Sequence, residues 1–137
     1  MRQHVDYGTN LVQHSAWLAD AAAVVGGHHE KVDGSGYPKG LHGSDIPVSA
    51  RIFAIVDVFD ALTSRRPYKG PLTFEESVAI LEKGRDCHFD AKLLDAFLTI
   101  ARGLYQRYAG REDEGIKREL EATARPYFRA GLDSLAY

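Results

Sequence analysis

Cysteine is nearly missing from this chain: Cys87 is its single one, so no internal disulfide can staple the fold. That usage fits a reducing compartment, and a cytoplasmic location is expected. Cys87 itself, beside His88, reads as a buried structural thiol rather than a metal ligand. Long hydrophobic runs are also missing. No stretch approaches the ~20 apolar residues of a membrane span, and no signal peptide is visible at the start. A surplus of positive charge is lacking too, with a formal net charge of −2. Duplex nucleic acid, which calls for a broad basic face, is therefore not an expected partner. No alternating apolar pattern of useful length marks a β-strand, and there is no internal repeat or low-complexity segment.

What remains is ordinary globular material, 45% apolar and 26% charged over 137 residues, enough for one modest core. Residues 1–25 carry apolar side chains at helical spacing, and His28 continues that stripe; Gly26 and Gly27 permit close packing at its end. Residues 31–47 hold four glycines and two prolines, which forbids a long helix and predicts a shaped loop. Residues 48–64 predict a helix, with Pro47 suited to its first turn. Thr73 and Glu76 form a capping-box pattern for a helix running to about Lys83. Asp90 can cap the next, whose Leu93, Leu94, Phe97, Ala101 and Leu104 make an apolar face. From Glu112 onward Ile116, Leu120, Ala124 and Phe128 recur every four residues, with Pro126 set to kink or divide the tail. The class is all-α.

The chemistry concentrates between His28 and Lys69. Asp57 sits in the run Ile52–Phe59, where an unpaired carboxylate in apolar surroundings would cost several kcal/mol. Two readings are open: it pairs with Arg51 or Arg65 or turns to solvent, or it joins His4, His28 and His29 around a cation. Glu30 and Asp33 add acidic character nearby. Mixed imidazole and carboxylate donors favour iron, manganese or zinc over magnesium, and finger-type cysteine spacing is lacking. His14 and His42 fall outside the pattern. Arg66 and Lys69 are either a solvated basic turn or a phosphate grip, a planar fork beside a mobile point charge. Tyr37, on the glycine-rich loop, either meets a ligand's base or phosphate or plugs the loop onto the core.

Three stretches, HHEKVDGSGYPKGLHGSDIP, ARIFAIVDVFDALTSRRPYK and HFDAKLLDAF, together resemble the HD-GYP family, a branch of the HD metal-dependent phosphohydrolases. The resemblance covers roughly residues 1–108, leaving 109–137 as a helical tail. It implies an all-α helical bundle with a two- or three-metal centre, often iron or manganese, and hydrolysis of cyclic di-GMP by metal-activated water. Carried over by position, His4, His28, His29 and Asp57 match metal ligands, Asp57 belonging to the catalytic centre. Tyr37 is the tyrosine of the GYP signature, and Arg66 and Lys69 match residues that contact the ligand's phosphates. The family's naming His-Asp dyad, with its following lysine, belongs some tens of residues before His4. This chain starts at Met1-Arg2-Gln3-His4, so the expectation is an N-terminally truncated bundle. From that follow an alternative role, a degenerate module that binds cyclic di-GMP or docks a diguanylate cyclase through the GYP loop, and an expected homodimer or element exchange to replace the missing wall. Hydrolysis of another nucleotide by the same centre is a third reading.

Overall fold

In the computed structural model the described residues are 19–111 and 114–124. They form five α-helices: α1 (Ala19–Gly27), α2 (Val48–Thr63), α3 (Phe74–Lys83), α4 (Ala91–Tyr108) and α5 (Glu114–Ala124), with a short 3-10 turn at Gly43–Asp45. Among the described residues there is no β-strand, only isolated bridges within loops. The expected all-α class is what is found. The helix expected before Ala19, with His4 and His14, and the tail beyond Ala124, with Pro126 and Phe128, lie outside the described residues.

Helix α2 is the hub, touching α1, α3 and α4. Its Ala50, Ala54, Ile55, Phe59 and Thr63 are buried. Ile55 and Phe59 join Leu81 of α3, Phe89, and Leu94, Phe97 and Ala101 of α4 in one cluster. The Phe59 and Phe97 rings meet edge to face at 5.2 Å, the geometry that aromatic quadrupoles favour. α1 reaches α2 through its last residue, since a Cβ on Gly27 would stand 3.0 Å from the Ala50 methyl. This is the close approach that the paired glycines predicted.

Local signals end the helices where the sequence placed them. The Thr73 hydroxyl accepts from the Glu76 amide while the Glu76 carboxylate accepts from the Thr73 amide, completing the capping box of α3. Asp90 accepts from the Lys92 and Leu93 amides at the start of α4. Two buried hydroxyls are satisfied within their helices, Ser77 donating to the Thr73 carbonyl and Thr63 to that of Phe59. α4 ends at Tyr108, and α5 is tied back to it by the Tyr108 hydroxyl on Glu119 and by an Arg107–Glu119 ion pair. No helix among the described residues is long and apolar enough to cross a membrane.

Candidate metal and phosphate site

The site builds outward from the end of α1. The helix stops at Gly27, and His28 follows as a turn whose amide still bonds the Val24 carbonyl at 2.9 Å. The His28 Nδ1 lies 2.9 Å from that same carbonyl. A carbonyl only accepts, so Nδ1 is the donor and Nε2 is the ring nitrogen that would face a metal. The His29 ring is 4.0 Å from that of His28, and the Tyr37 ring stacks on the other histidine, His29, at 4.8 Å. On the facing helix, Phe53 meets His28 edge-on at 5.7 Å.

Asp57 lies four residues beyond Phe53 on α2, one turn and about 6 Å along the same face. It is exposed. The apolar residues of α2 divide between two faces, with Ile55 and Phe59 turned to the core and Val48, Ile52, Phe53 and Val56 each more than two-fifths exposed. Asp57 stands with the second set, so the cost of burying its charge does not arise. It is not the partner of Arg51, which is committed elsewhere: its Nη1 donates to Asp90 at 2.7 Å and its Nε to the Ile46 carbonyl at 3.0 Å. Among the described residues, then, the structure brings His28 and His29 together and sets Asp57 on the helix face that His28 approaches. No three His, Cys, Asp or Glu side chains meet as a ligand group within those residues, and His4 lies outside them. By type the donors, an imidazole oriented by a main-chain carbonyl, a second imidazole beside it and a carboxylate on the facing helix, fit a divalent cation.

The loop from Glu30 to Pro47 is pinned from within. Glu30 is 2% exposed, and its two carboxylate oxygens accept the Lys39 amide at 2.7 Å and the Leu41 amide at 3.0 Å. Gly36 passes directly beneath the backbone of residues 30 and 31, where a Cβ would come within 2.4 Å of the Lys31 nitrogen. The following Tyr37–Pro38 peptide is cis. Asp33 is exposed and accepts from the Ser35 amide at 2.9 Å; the Ser35 hydroxyl first, then that amide, hold its carboxyl below the ordinary range. Main-chain bonds from Val32 to His88 and from Asp33 to Cys87 fasten the loop onto the turn between α3 and α4.

Two residues of that turn differ from or add to the reading of the sequence. Cys87 is exposed, not buried. Its backbone is taken up by the tight turn and by Asp33, which leaves the thiol outside. His88, beside it, is half-buried close to His29, Lys31 and Asp33; burial first, then the Lys31 charge, lowers its pKa. The sequence makes Glu30 one more nearby charge, whereas its carboxylate holds main-chain amides. The available signal was an acid directly before a glycine-rich loop with many amides to satisfy.

Beyond the end of α2, Arg66 and Lys69 exchange both main-chain bonds, at 3.0 and 3.2 Å. In such an antiparallel pair the two side chains project from the same side. Both are exposed, and Tyr68 at the tip is fully so. Neither cation takes part in a salt bridge among the described residues. A cavity of about 390 Å³ between α2, α4 and α5 is lined by Val56, Phe59, Asp60, Phe97, Leu104 and Ile116 among others, and by none of the candidate site residues.

A family profile described as HD domain matches residues 1–93. A probable cyclic di-GMP phosphodiesterase of Vibrio cholerae is 41% identical over 131 residues, covering 88% of this chain and 30% of that protein. A 3'3'-cGAMP-specific phosphodiesterase of the same organism is 46% identical over 102 residues, covering 72% of this chain and 19% of the relative. A cyclic di-GMP phosphodiesterase of Thermotoga maritima is 37% identical over 116 residues, with coverages of 83% and 32%. The chain thus spans a third or less of each of these curated relatives.

Proposed function

Because this chain belongs to the HD domain family, we propose that it carries the metal-binding and phosphate-binding part of a cyclic dinucleotide phosphodiesterase, with cyclic di-GMP as the first substrate to try and 3'3'-cGAMP as the second. The observation that carries this reading is the pair His28 and His29, with the His28 Nδ1 held by the Val24 carbonyl. That hydrogen bond fixes the orientation of the ring, as the outer partner of a metal-ligating histidine does. His28, His29 and Asp57 would hold a divalent cation, iron or manganese, with His4 as a further ligand and Asp57 as the carboxylate of the catalytic centre. Such an ion supplies Lewis acidity toward a phosphoryl oxygen and a nucleophilic water at neutral pH.

The remaining work falls to the chain's own groups. Arg66 presents a planar fork to two phosphate oxygens, and Lys69, projecting from the same side of the turn, adds a point charge. Together they orient the diester and offset its negative charge. Tyr37 bounds the site on the side of His29, where its ring excludes water and limits the approach of a base. Exposed Asp57 gives α2 a negative position on the face that also carries Phe53 and Val56, so a cation held there would sit beside an apolar wall.

A second reading is a module that binds the nucleotide without cleaving it. It is favoured by the described residues bringing only two imidazoles into contact. One experiment separates the two: the chain is loaded with manganese(II) or iron(II), its metal content is counted, and conversion and binding of cyclic di-GMP and 3'3'-cGAMP are followed. Turnover that depends on metal supports the enzyme, and binding without turnover supports the module. A metal-loaded chain that neither binds nor cleaves either nucleotide overturns both.

A further inference from the structure

Glu30 is a buried carboxylate that the functional reading does not use. It sits one residue past His29, but its oxygens are turned away into the loop, one on the Lys39 amide and one on the Leu41 amide. Those amides flank the far limb of the turn that carries Gly36, Tyr37 and Pro38. The near limb is held by a different bond, from the Tyr37 amide to the His29 carbonyl at 3.2 Å. Between the limbs, Gly36 presses against the Glu30 backbone at a distance that admits no side chain. The Tyr37 ring, at the apex, lies flat on His29 with 24° between the planes.

We propose that Glu30 is a positioning residue: by accepting the Lys39 and Leu41 amides it holds the loop closed, so that the Tyr37 ring stays stacked on His29 and fixes the orientation of that imidazole. A carboxylate suits this role because it is acceptor-only on both oxygens, whereas glutamine would turn an NH2 group toward one of two N–H donors. The substitution leaves a buried clash of donors in place of a charge-assisted bond. Gly36→Ala attacks the same closure from the opposite side with the carboxylate untouched. The consequence for nucleotide or metal binding rests on the functional reading above; the consequence for the loop does not.

Amide hydrogen exchange tests the loop directly on the full chain. In Glu30→Gln the Lys39 and Leu41 amides should exchange at least tenfold faster than in the parent, while Leu81 and Leu94 amides in the core keep their protection. The His29 ring resonances should shift in Glu30→Gln and in Gly36→Ala alike. Unchanged exchange at both amides, or His29 resonances that stay put in both variants, overturns the proposal. Metal affinity is the second readout, and both variants should weaken it at least threefold with core protection retained. If the parent chain takes up no metal, the functional reading fails while the exchange and resonance results still decide the role of Glu30. If the parent binds metal and both variants bind it equally well, the positioning role fails and the functional reading stands.

Discussion

Asp90 joins three parts of the molecule, and its replacement gives the sharpest quantitative test of the packing that supports the site. Its Oδ1 caps α4 through the Lys92 and Leu93 amides, while Oδ2 accepts from Arg51, which in turn holds the Ile46 carbonyl at the end of the glycine-rich loop. Losing the cap costs about 1 kcal/mol. Losing the charge-assisted bond adds about 1.5 kcal/mol, taken from the low end of its range because both side chains retain some contact with water. Asp90→Ala should therefore lose about 2.5 kcal/mol, and Asp90→Asn, which keeps the cap, about 1.5 kcal/mol. At about 4 °C per kcal/mol for a chain of this size, the midpoints should fall by about 10 °C and about 6 °C. Acid adds a second check. The Leu93 amide above all, then Arg51 and the Lys92 amide, hold the Asp90 carboxyl below its ordinary value against the opposing effect of burial. A carboxyl lowered on folding stabilises fully above its unfolded value near about pH 4, and that contribution is lost as pH falls through the lower folded value. The gap between parent and Asp90→Asn should thus be widest near neutrality and narrow in strong acid. Thermal melts of the single variants and of Arg51→Ala with Asp90→Ala read all of this. A double-mutant coupling below about 0.3 kcal/mol, within ordinary additivity, would refute the pairing argument.

Three further outcomes follow from the same geometry. Asp57→Ala should lower metal content measured by elemental analysis yet leave the melting midpoint within about 2 °C, because an exposed side chain away from special contacts changes stability by about 0.5 kcal/mol at most; undiminished metal removes Asp57 from the ligand set. Arg66→Ala should weaken cyclic dinucleotide binding by about tenfold to a hundredfold in calorimetry, the equivalent of about 1.5–3 kcal/mol, with metal retained. Equal affinity in parent and variant would leave the basic turn as a solvated one. Leu81→Ala, at a fully buried position in the central cluster, should cost about 2–5 kcal/mol in denaturant unfolding. A loss under about 1 kcal/mol would mean that α3 is not packed as described.

The parts of the fold written in local chemistry were legible without coordinates. Thr73 with Glu76, Asp90 before Ala91, and Pro47 before Val48 each mark a boundary through atoms within four residues, and each boundary lies where it was expected. Gly27 against Ala50 was legible for a related reason, since a glycine at the end of an apolar stripe signals a close approach. What the chain alone could not convey was direction. α2 is apolar nearly all round, so its periodicity does not say which face meets α3 and α4, and Asp57 reads as buried until the helix is oriented. Cys87 and Glu30 went astray through averages: thiols are usually buried and acids usually solvated, but a tight turn expels one and two distant main-chain amides capture the other. His28 and His29 stood out by adjacency. That the Nδ1 of His28 meets the Val24 carbonyl depends on a ring rotation no sequence records.

The attachment of the glycine-rich loop to the α3–α4 turn has a practical consequence. Because Asp33 and Val32 bond only to main-chain oxygens there, the side chain at 87 is free of the joint it helps to form. Cys87 is also the sole thiol in the chain and faces outward. A single maleimide dye would therefore attach at one place, across one hydrogen bond from the segment carrying Tyr37, and its emission would report opening and closing of that segment in real time.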